Sequence, residues 1–260
     1  MRIAVCIKQV FDPATIKVSR TRQAIDDRGA RKILNPSDRW ALDAALRFKE
    51  QDPSTEIVAM TIGDSDAEDI LREALALGVD RAILLSDPVL IKTTGAGRAK
   101  VLAAAIRRLR AVQLVLTGCM ALDSGRGELA PRLAIELGDW PVLMDADQVR
   151  VEANHVYGLQ YIEDSYYASS YPLPAVVSVR QTPEHPRYPH GADIINAYRV
   201  KNVEVWSSLM LGIDLSTLPA PTTDRRLRVP PDREYGVFLE GSPSEAAAAL
   251  VSNLKTRRII

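Results

Sequence analysis

One apolar run of strand length, Val112-Gln113-Leu114-Val115-Leu116-Thr117, ends in Gly118 and sets most of what this chain can become. It passes through Cys119-Met120-Ala121-Leu122-Asp123-Ser124-Gly125-Arg126-Gly127-Glu128 into Pro131-Arg132-Leu133-Ala134-Ile135-Glu136-Leu137, which reads as a helix. A buried strand, a glycine-punctuated loop and a helix start make a cradle for a phosphate. Gly125 and Gly127 permit positive φ and close backbone approach, and first-turn N–H groups lack intrahelical partners. Arg126 adds a guanidinium between them. An ordinary strand-to-helix turn capped by Asp123 fits the same residues, and two glycines alone leave both readings open.

The rest of the chain narrows the choice. Residues 3–7 read as a buried β-branched strand, and residues 8–13 leave it as a loop. Residues 16–18 and 24–25 suggest a short hairpin around Thr21-Arg22. Asn35-Pro36-Ser37-Asp38 opens a helix to about Lys49. A strand over 56–62 precedes a helix with Asp64 or Ser65 as its cap and Gly78 as its stop. A strand over 81–85 and a helix on Ala99, Leu102, Ala103, Ile106 and Leu109 then lead back to Val112. Strands alternating with helices imply an α/β fold with a mainly parallel, Rossmann-like sheet and helices on both faces.

Composition limits the function. Residues 3–7 follow Met1-Arg2 directly, with no run long enough to span a membrane, so the expected location is cytoplasmic. With 33 basic and 33 acidic side chains among 260 residues, the chain lacks the basic excess of a nucleic-acid binder. Cys6 and Cys119 end apolar runs and read as small buried residues, and His155, His185 and His190 have no metal-ligand spacing. No Ser/His/Asp, Cys/His or paired-carboxylate constellation is visible, so no catalytic residue is assigned.

After Gly138-Asp139-Trp140-Pro141 the pattern changes. Residues 149–151, 156–162 and 166–171 read as an antiparallel meander with turns near Asn154 and Asp164, and 173–179 as a buried strand. A proline-rich loop over 183–191 and a short helix near 193–199 follow. Residues 207–232 carry too little apolar periodicity to form a core, and 244–254 form an amphipathic helix with Ala247, Leu250, Val251 and Leu254 on one face. The expected organisation is a nucleotide-binding domain over 1–206 and an extended arm and helix over 207–260, docking on its own domain or, as the length of the arm favours, on a partner subunit.

Taken together, residues 5–10, Asn35-Pro36-Ser37-Asp38, residues 71–81, residues 118–131, Leu173-Pro174-Ala175-Val176-Val177 and Pro186-Arg187-Tyr188 resemble the beta subunit of electron transfer flavoprotein over nearly the whole chain. The resemblance implies a heterodimer with an alpha subunit that carries the redox FAD, and an AMP held by the beta subunit. The family's nucleotide contacts fall here on Cys6, on Asn35, Pro36, Ser37 and Asp38, on Ile62, and on Gly118, Cys119, Ala121, Asp123, Gly125, Arg126, Gly127, Glu128 and Leu129. Relatives often carry Asn-Gln-Thr or Thr-Ala-Gln-Val at the helix start, where this chain has Arg126-Gly127-Glu128-Leu129. That departure speaks for AMP over a second FAD of the electron-bifurcating type, and Glu128 repels a phosphate unless it turns toward ribose or adenine. Gln160 and Tyr167 likewise stand where relatives often have a basic and an acidic residue.

The resemblance also implies docking of a donor dehydrogenase, possibly of acyl-CoA dehydrogenase type, and delivery of electrons to an acceptor oxidoreductase. The docking segment falls on Arg187, Tyr188, Gly191, Ile194 and Ile195, with Gly191 where relatives present an apolar anchor, often leucine. Two other classes compete. An ATP-using hydrolase or ligase on a related fold needs a Ser/Gly-rich loop after the first strand, which Lys8-Gln9-Val10-Phe11-Asp12-Pro13 is not. A regulatory module of universal-stress-protein type usually lacks the long arm.

Overall fold

The apolar runs form the middle of one broad sheet in a computed structural model that describes residues 1–21, 24–93, 95–182, 185–219, 229 and 236–260. In chain order the elements are β1 Arg2–Cys6, β2 Gln9–Phe11, β3 Lys17–Ser19, β4 Ala24–Asp26, β5 Lys32–Leu34, α1 Pro36–Gln51, β6 Glu56–Ile62, α2 Glu68–Leu77, β7 Arg81–Leu85, α3 Pro88–Ile91 and α4 Ala96–Leu109. There follow β8 Leu114–Gly118, α5 Leu129–Glu136, β9 Val142–Glu152, β10 His155–Ile162, β11 Ser165–Pro172, β12 Ala175–Val179, α6 Gly191–Arg199, β13 Val203–Trp206, α7 Ser208–Leu211 and α8 Pro243–Thr256.

The large sheet runs β11-β10-β9-β12-β8-β1-β6-β7-β13. Every pair from β9 to β13 is parallel, and the β9–β10 and β10–β11 pairs are antiparallel. The chain moves from β1 outward to β6 and β7, then returns to the other side of β1 for β8 and β12. The carboxyl ends of β1 and β8 therefore flank the point where strand order reverses, the usual ligand crevice of a doubly wound sheet. Helices cover both faces. Leu42, Ala45, Leu71 and Leu75 of α1 and α2 pack with Ile3, Val5, Ile57 and Leu116. On the other face Leu102, Ile106 and Leu133 of α4 and α5 pack with Ala4, Val58, Met60 and Val115. Full burial of an Ile or Leu side chain contributes about 1.5–3 kcal/mol, so these two layers hold the strand order.

Several boundaries differ from the sequence expectation, each for a tertiary reason. Residues 8–13 are not all loop, because Gln9–Phe11 pairs antiparallel with Lys32–Leu34. Asp64 and Ser65 do not cap α2; Ser65–Ala67 is a 3-10 turn and neither it nor α2 receives a side-chain cap, whereas Gly78 does stop α2 at φ 117°. The helix after the glycine loop starts at Leu129, ahead of Pro131. The strand expected over 149–151 is the end of an eleven-residue strand whose first half lies parallel to β12 and whose second half pairs with β10, so the meander is continuous with the parallel sheet. Gly158 makes that bend possible, since a Cβ there would lie 2.8 Å from Leu143 Cδ2. β13 was not anticipated; it is only four residues long and buried only at its two ends, Val203 and Trp206, so it carries no alternating signal. The expected hairpin forms as β3 and β4, with Arg22 outside the described residues, as are Pro183, Glu184 and residues 220–228 and 230–232 of the arm.

By contacts the chain forms two units, Met1–Lys17 with Ile25–Arg225 and Val18–Ala24 with Arg226–Ile260. Within the first, Leu211, Ile213 and Leu218 pack against the α4 side of the core. Within the second, α8 opens on a capping box in which Ser242 and Glu245 satisfy each other's backbone N–H groups, and it ends near Lys255. None of its residues is buried, and Leu250 and Val251 of its apolar face stay 48% and 44% exposed.

Candidate functional site

The start of α1 forms a bracket under the loop that follows β8. Pro36 at the helix start fixes φ, and Asn35, Ser37 and Asp38 turn inward, each at most 6% exposed. Asn35 Nδ2 donates to the Met120 carbonyl at 2.9 Å, and its Oδ1 accepts from Leu122 N–H at 3.1 Å. The two atoms of one amide thus hold the loop in register with β5, to which Asn35 is next in sequence. Ser37 Oγ receives Gln181 Nε2 at 3.2 Å and lies 3.5 Å from Cys119 Sγ.

Asp38 is the centre of the bracket. One carboxylate oxygen accepts from Lys8 N–H at 2.8 Å and the other from Gly118 N–H at 3.2 Å, so the side chain ties the ends of β1 and β8 together. Burial pushes its pKa up to about 7, against the opposing pull of hydrogen bonds from Asn35, Lys8 and Gly118 and of the Lys8 charge. Burial, with Asp38 nearby, also pushes the Cys6 thiol well up, which keeps it a neutral core group. Gly118 is required by the fit: a Cβ there would lie 2.4 Å from Asp38 Oδ1 and 2.6 Å from the Ser37 carbonyl carbon.

Above the bracket the loop is shaped by Gly125 at φ 60° and Gly127 at φ 59°. Gly127 approaches closely as well, since an added Cβ would be 3.1 Å from the Cys119 carbonyl. Asp123, one reading of which made it a helix cap, instead accepts from Lys8 Nζ at 2.7 Å. Glu128 stands at the N-cap of α5 without a capping hydrogen bond; its carboxylate is drawn to Arg132 at 3.0 Å and Arg126 at 3.5 Å. Its charge is therefore met by two guanidinium groups, and the first turn of α5 has no side-chain cap. Ile62, 8% exposed, ends β6 on the neighbouring side of β1.

Sequence reading missed two contributors. Arg98, in the first turn of α4, donates to the Thr93 carbonyl at 2.8 Å, is felt electrostatically by Asp123, and has its pKa lowered by burial. Gly95 just before α4 faces Glu128 across 3.3 Å, counted from an added Cβ. The only sequence signal was the glycine pair Gly95 and Gly97 beside a lone arginine. Gln181 is the second, reaching Ser37 from beyond β12 with no motif around it.

The segment expected to dock a donor divides in two. Arg187 is committed to α1, pairing with Asp43 at 2.6 Å and with Glu50, while Tyr188 lies against the Arg39 guanidinium at 5.3 Å and remains 70% exposed. Gly191 opens α6 with nothing within 4 Å of an added Cβ. Ile194, Ile195 and Tyr198 of α6 are exposed, and Ala197 is buried as its anchor, with Arg72 donating to the Ala197 and Lys201 carbonyls. The cradle and this helix are separate places on the first unit. Gln160, in the meander, donates to the Met144 carbonyl and accepts from Ser169, an internal strand-to-strand role.

Comparison with known proteins fits this geometry. The profile described as "Electron transfer flavoprotein domain" matches residues 23–208. Over the full length of both chains the protein is 33% identical to the caffeyl-CoA reductase-Etf complex subunit CarD of Acetobacterium woodii. It is 32% identical to the electron transfer flavoprotein subunit beta of Bacillus subtilis over 98% of each chain. The chain belongs to the electron transfer flavoprotein family, among its beta subunits. Protein FixA of Azorhizobium caulinodans, 30% identical over 99% of this chain and 95% of its own, falls in the same group. As an electron transfer flavoprotein beta subunit, the chain places the Asn35–Asp38 bracket and the Gly118–Leu129 loop at one end of the sheet, where the residues implied by the resemblance converge. No helix is long and apolar enough to cross a membrane among the described residues.

Proposed function

We propose that the chain is the non-catalytic half of a heterodimeric electron transfer flavoprotein: it holds an AMP in the cradle between β1 and β8, supports the FAD of an alpha subunit, and carries the surface on which a donor dehydrogenase docks. The observation that carries the nucleotide reading is the close backbone approach at Gly118 and Gly127 beneath an uncapped helix start. Such N–H groups suit one phosphate, and the Glu128 carboxylate that would oppose it is already paired with Arg126 and Arg132. AMP would supply no redox chemistry there; the alpha-subunit FAD would carry the electrons. This chain's residues would do the holding: loop N–H groups around the phosphate, Lys8 fixed by Asp123 at the rim, and Asp38 and Asn35 beneath. Release of the bound nucleotide by denaturation and its identification by mass spectrometry decides the point. One AMP per chain and one FAD per heterodimer is expected; two FAD and no AMP overturns the assignment.

The arm reading rests on α8, whose capping box gives it a defined start although no residue of it is buried. An amphipathic helix with its apolar face open fits a groove on a second protein. Deletion of residues 232–260 is expected to abolish or severely weaken copurification with the flavin-bearing subunit. Unchanged assembly removes the arm from the interface. The docking role goes to α6, where Ile194 and Ile195 supply the apolar area that Gly191 does not, and Arg187 acts as the staple holding that segment on α1.

A further inference from the structure

Residues 88–122 contain no aspartate or glutamate and six cationic residues, in a chain whose total charge balances. Four of the six, Lys100, Arg107, Arg108 and Arg110, line a single open groove of about 960 Å³ between the outer side of α4 and residues 206–217. Positions 100, 107 and 108 share a face of α4 at helical spacing. None of the four forms an ion pair among the described residues, although most arginines of the first unit do. Two acids also line the groove. The Asp214 carboxylate is occupied by Ser216 N–H and Oγ, and Glu136 gives its main-chain carbonyl to Arg107.

Three of the cations have separate tethers. Arg108 donates to the Met210 carbonyl at 2.8 Å and lies 5.3 Å from the Trp206 ring, Lys100 donates to the Thr217 carbonyl at 3.1 Å, and Arg107 is tied to Glu136. Cations spread along a helix, each with its own tether, suit an anion distributed along a chain. Trp206 is 7% exposed, so the groove offers no aromatic platform on which bases could stack. Met210, which lines the groove, is 42% exposed, and Leu209 before it in α7 is 89% exposed, apolar area next in sequence to the charge.

We propose that this groove is a docking site for an acidic segment of a partner protein, with an apolar residue of that segment resting on Leu209. The surface is distinct from the cradle and from α6, and it stands whether or not the AMP assignment holds.

The test is fluorescence anisotropy of a labelled peptide of about sixteen residues, glutamate-rich with one central leucine, against the full chain in the complex in which it purifies. Binding is expected to weaken steeply between about 50 and about 300 mM salt. The double variant Lys100→Glu/Arg110→Glu is expected to lose roughly tenfold or more in affinity, and Leu209→Ser about threefold, with unchanged melting temperatures. Lys17→Glu, on β3 and exposed, serves as the control for non-specific attraction and is expected to change nothing. Affinity unchanged in the double variant, or lowered equally by Lys17→Glu, overturns the proposal. So does tighter competition by tripolyphosphate or by an oligothymidylate, which would make the groove a site for phosphate or nucleic acid.

Discussion

Gly118→Ala is expected to destabilise the protein by about 3 kcal/mol or more and, if the proposed AMP sits in the cradle, to empty it, a larger effect than any single surface change. The added methyl group would meet Asp38 Oδ1 at 2.4 Å and the Ser37 carbonyl carbon at 2.6 Å. Neither neighbour can yield at small cost. Ser37 belongs to the first turn of α1, and Asp38 is held by two backbone N–H groups, Lys8 just beyond β1 and Gly118 at the end of β8. Relief therefore requires the β8 end and the α1 start to separate, which lengthens the Asp38 bond to Gly118 N–H and pulls Met120 and Leu122 from Asn35. Chemical denaturation gives the stability change, and the nucleotide-to-protein ratio after purification gives the loss of binding. Gly125→Ala is the comparison: it has nothing within 4 Å of the added atom and pays only for its φ of 60°, so its cost should stay near 1 kcal/mol. Equal effects of the two substitutions would show that the close approach at Gly118 is unimportant.

Asp38 produces the second large effect, and its sign depends on pH. Its folded pKa is raised from 3.8 to about 7, so the folded protein retains a proton that the unfolded chain releases. The stabilising contribution of the neutral acid is fully present below the unfolded value and is lost as pH rises through about 7, amounting to a few kcal/mol at most over that window. Burial sets it, opposed by the hydrogen bonds from Asn35 at the α1 start and from the N–H groups of Lys8 and Gly118, and by the Lys8 charge. Asp38→Asn cannot ionise, so the difference in unfolding free energy between wild type and variant should shift steadily in favour of the variant from about pH 4 to about pH 7 and then level off. Asp38→Ala instead leaves both N–H groups without their acceptor, costing about 1–3 kcal/mol for each at every pH. Denaturant titrations at several pH values separate the two variants. A flat difference curve for Asp38→Asn would mean that Asp38 is ionised in the fold throughout, with its hydrogen bonds outweighing burial.

The sequence by itself determined the elements whose signal is local. β6 and β7 fell on their expected residues because their apolar runs are bounded by turn residues, and Gly78 ended α2 because only glycine takes φ 117° without strain. It also brought the right segments to the sheet's carboxyl ends, since alternation of strand and helix fixes which loops share one edge. Only the tertiary structure decided what those residues do. Asn35 and Asp38 fall on nucleotide contacts by the resemblance; the structure adds that their polar side-chain atoms bond Met120, Leu122, Lys8 and Gly118, partners far along the chain that no local pattern encodes. Arg187 and Glu128 likewise acquired their ion-pair partners through packing. The four-residue β13 and the first half of β9 escaped notice for the same reason: each is a strand because a neighbour offers it a parallel edge, and hydrogen bonding to an edge leaves no mark in the residues that receive it.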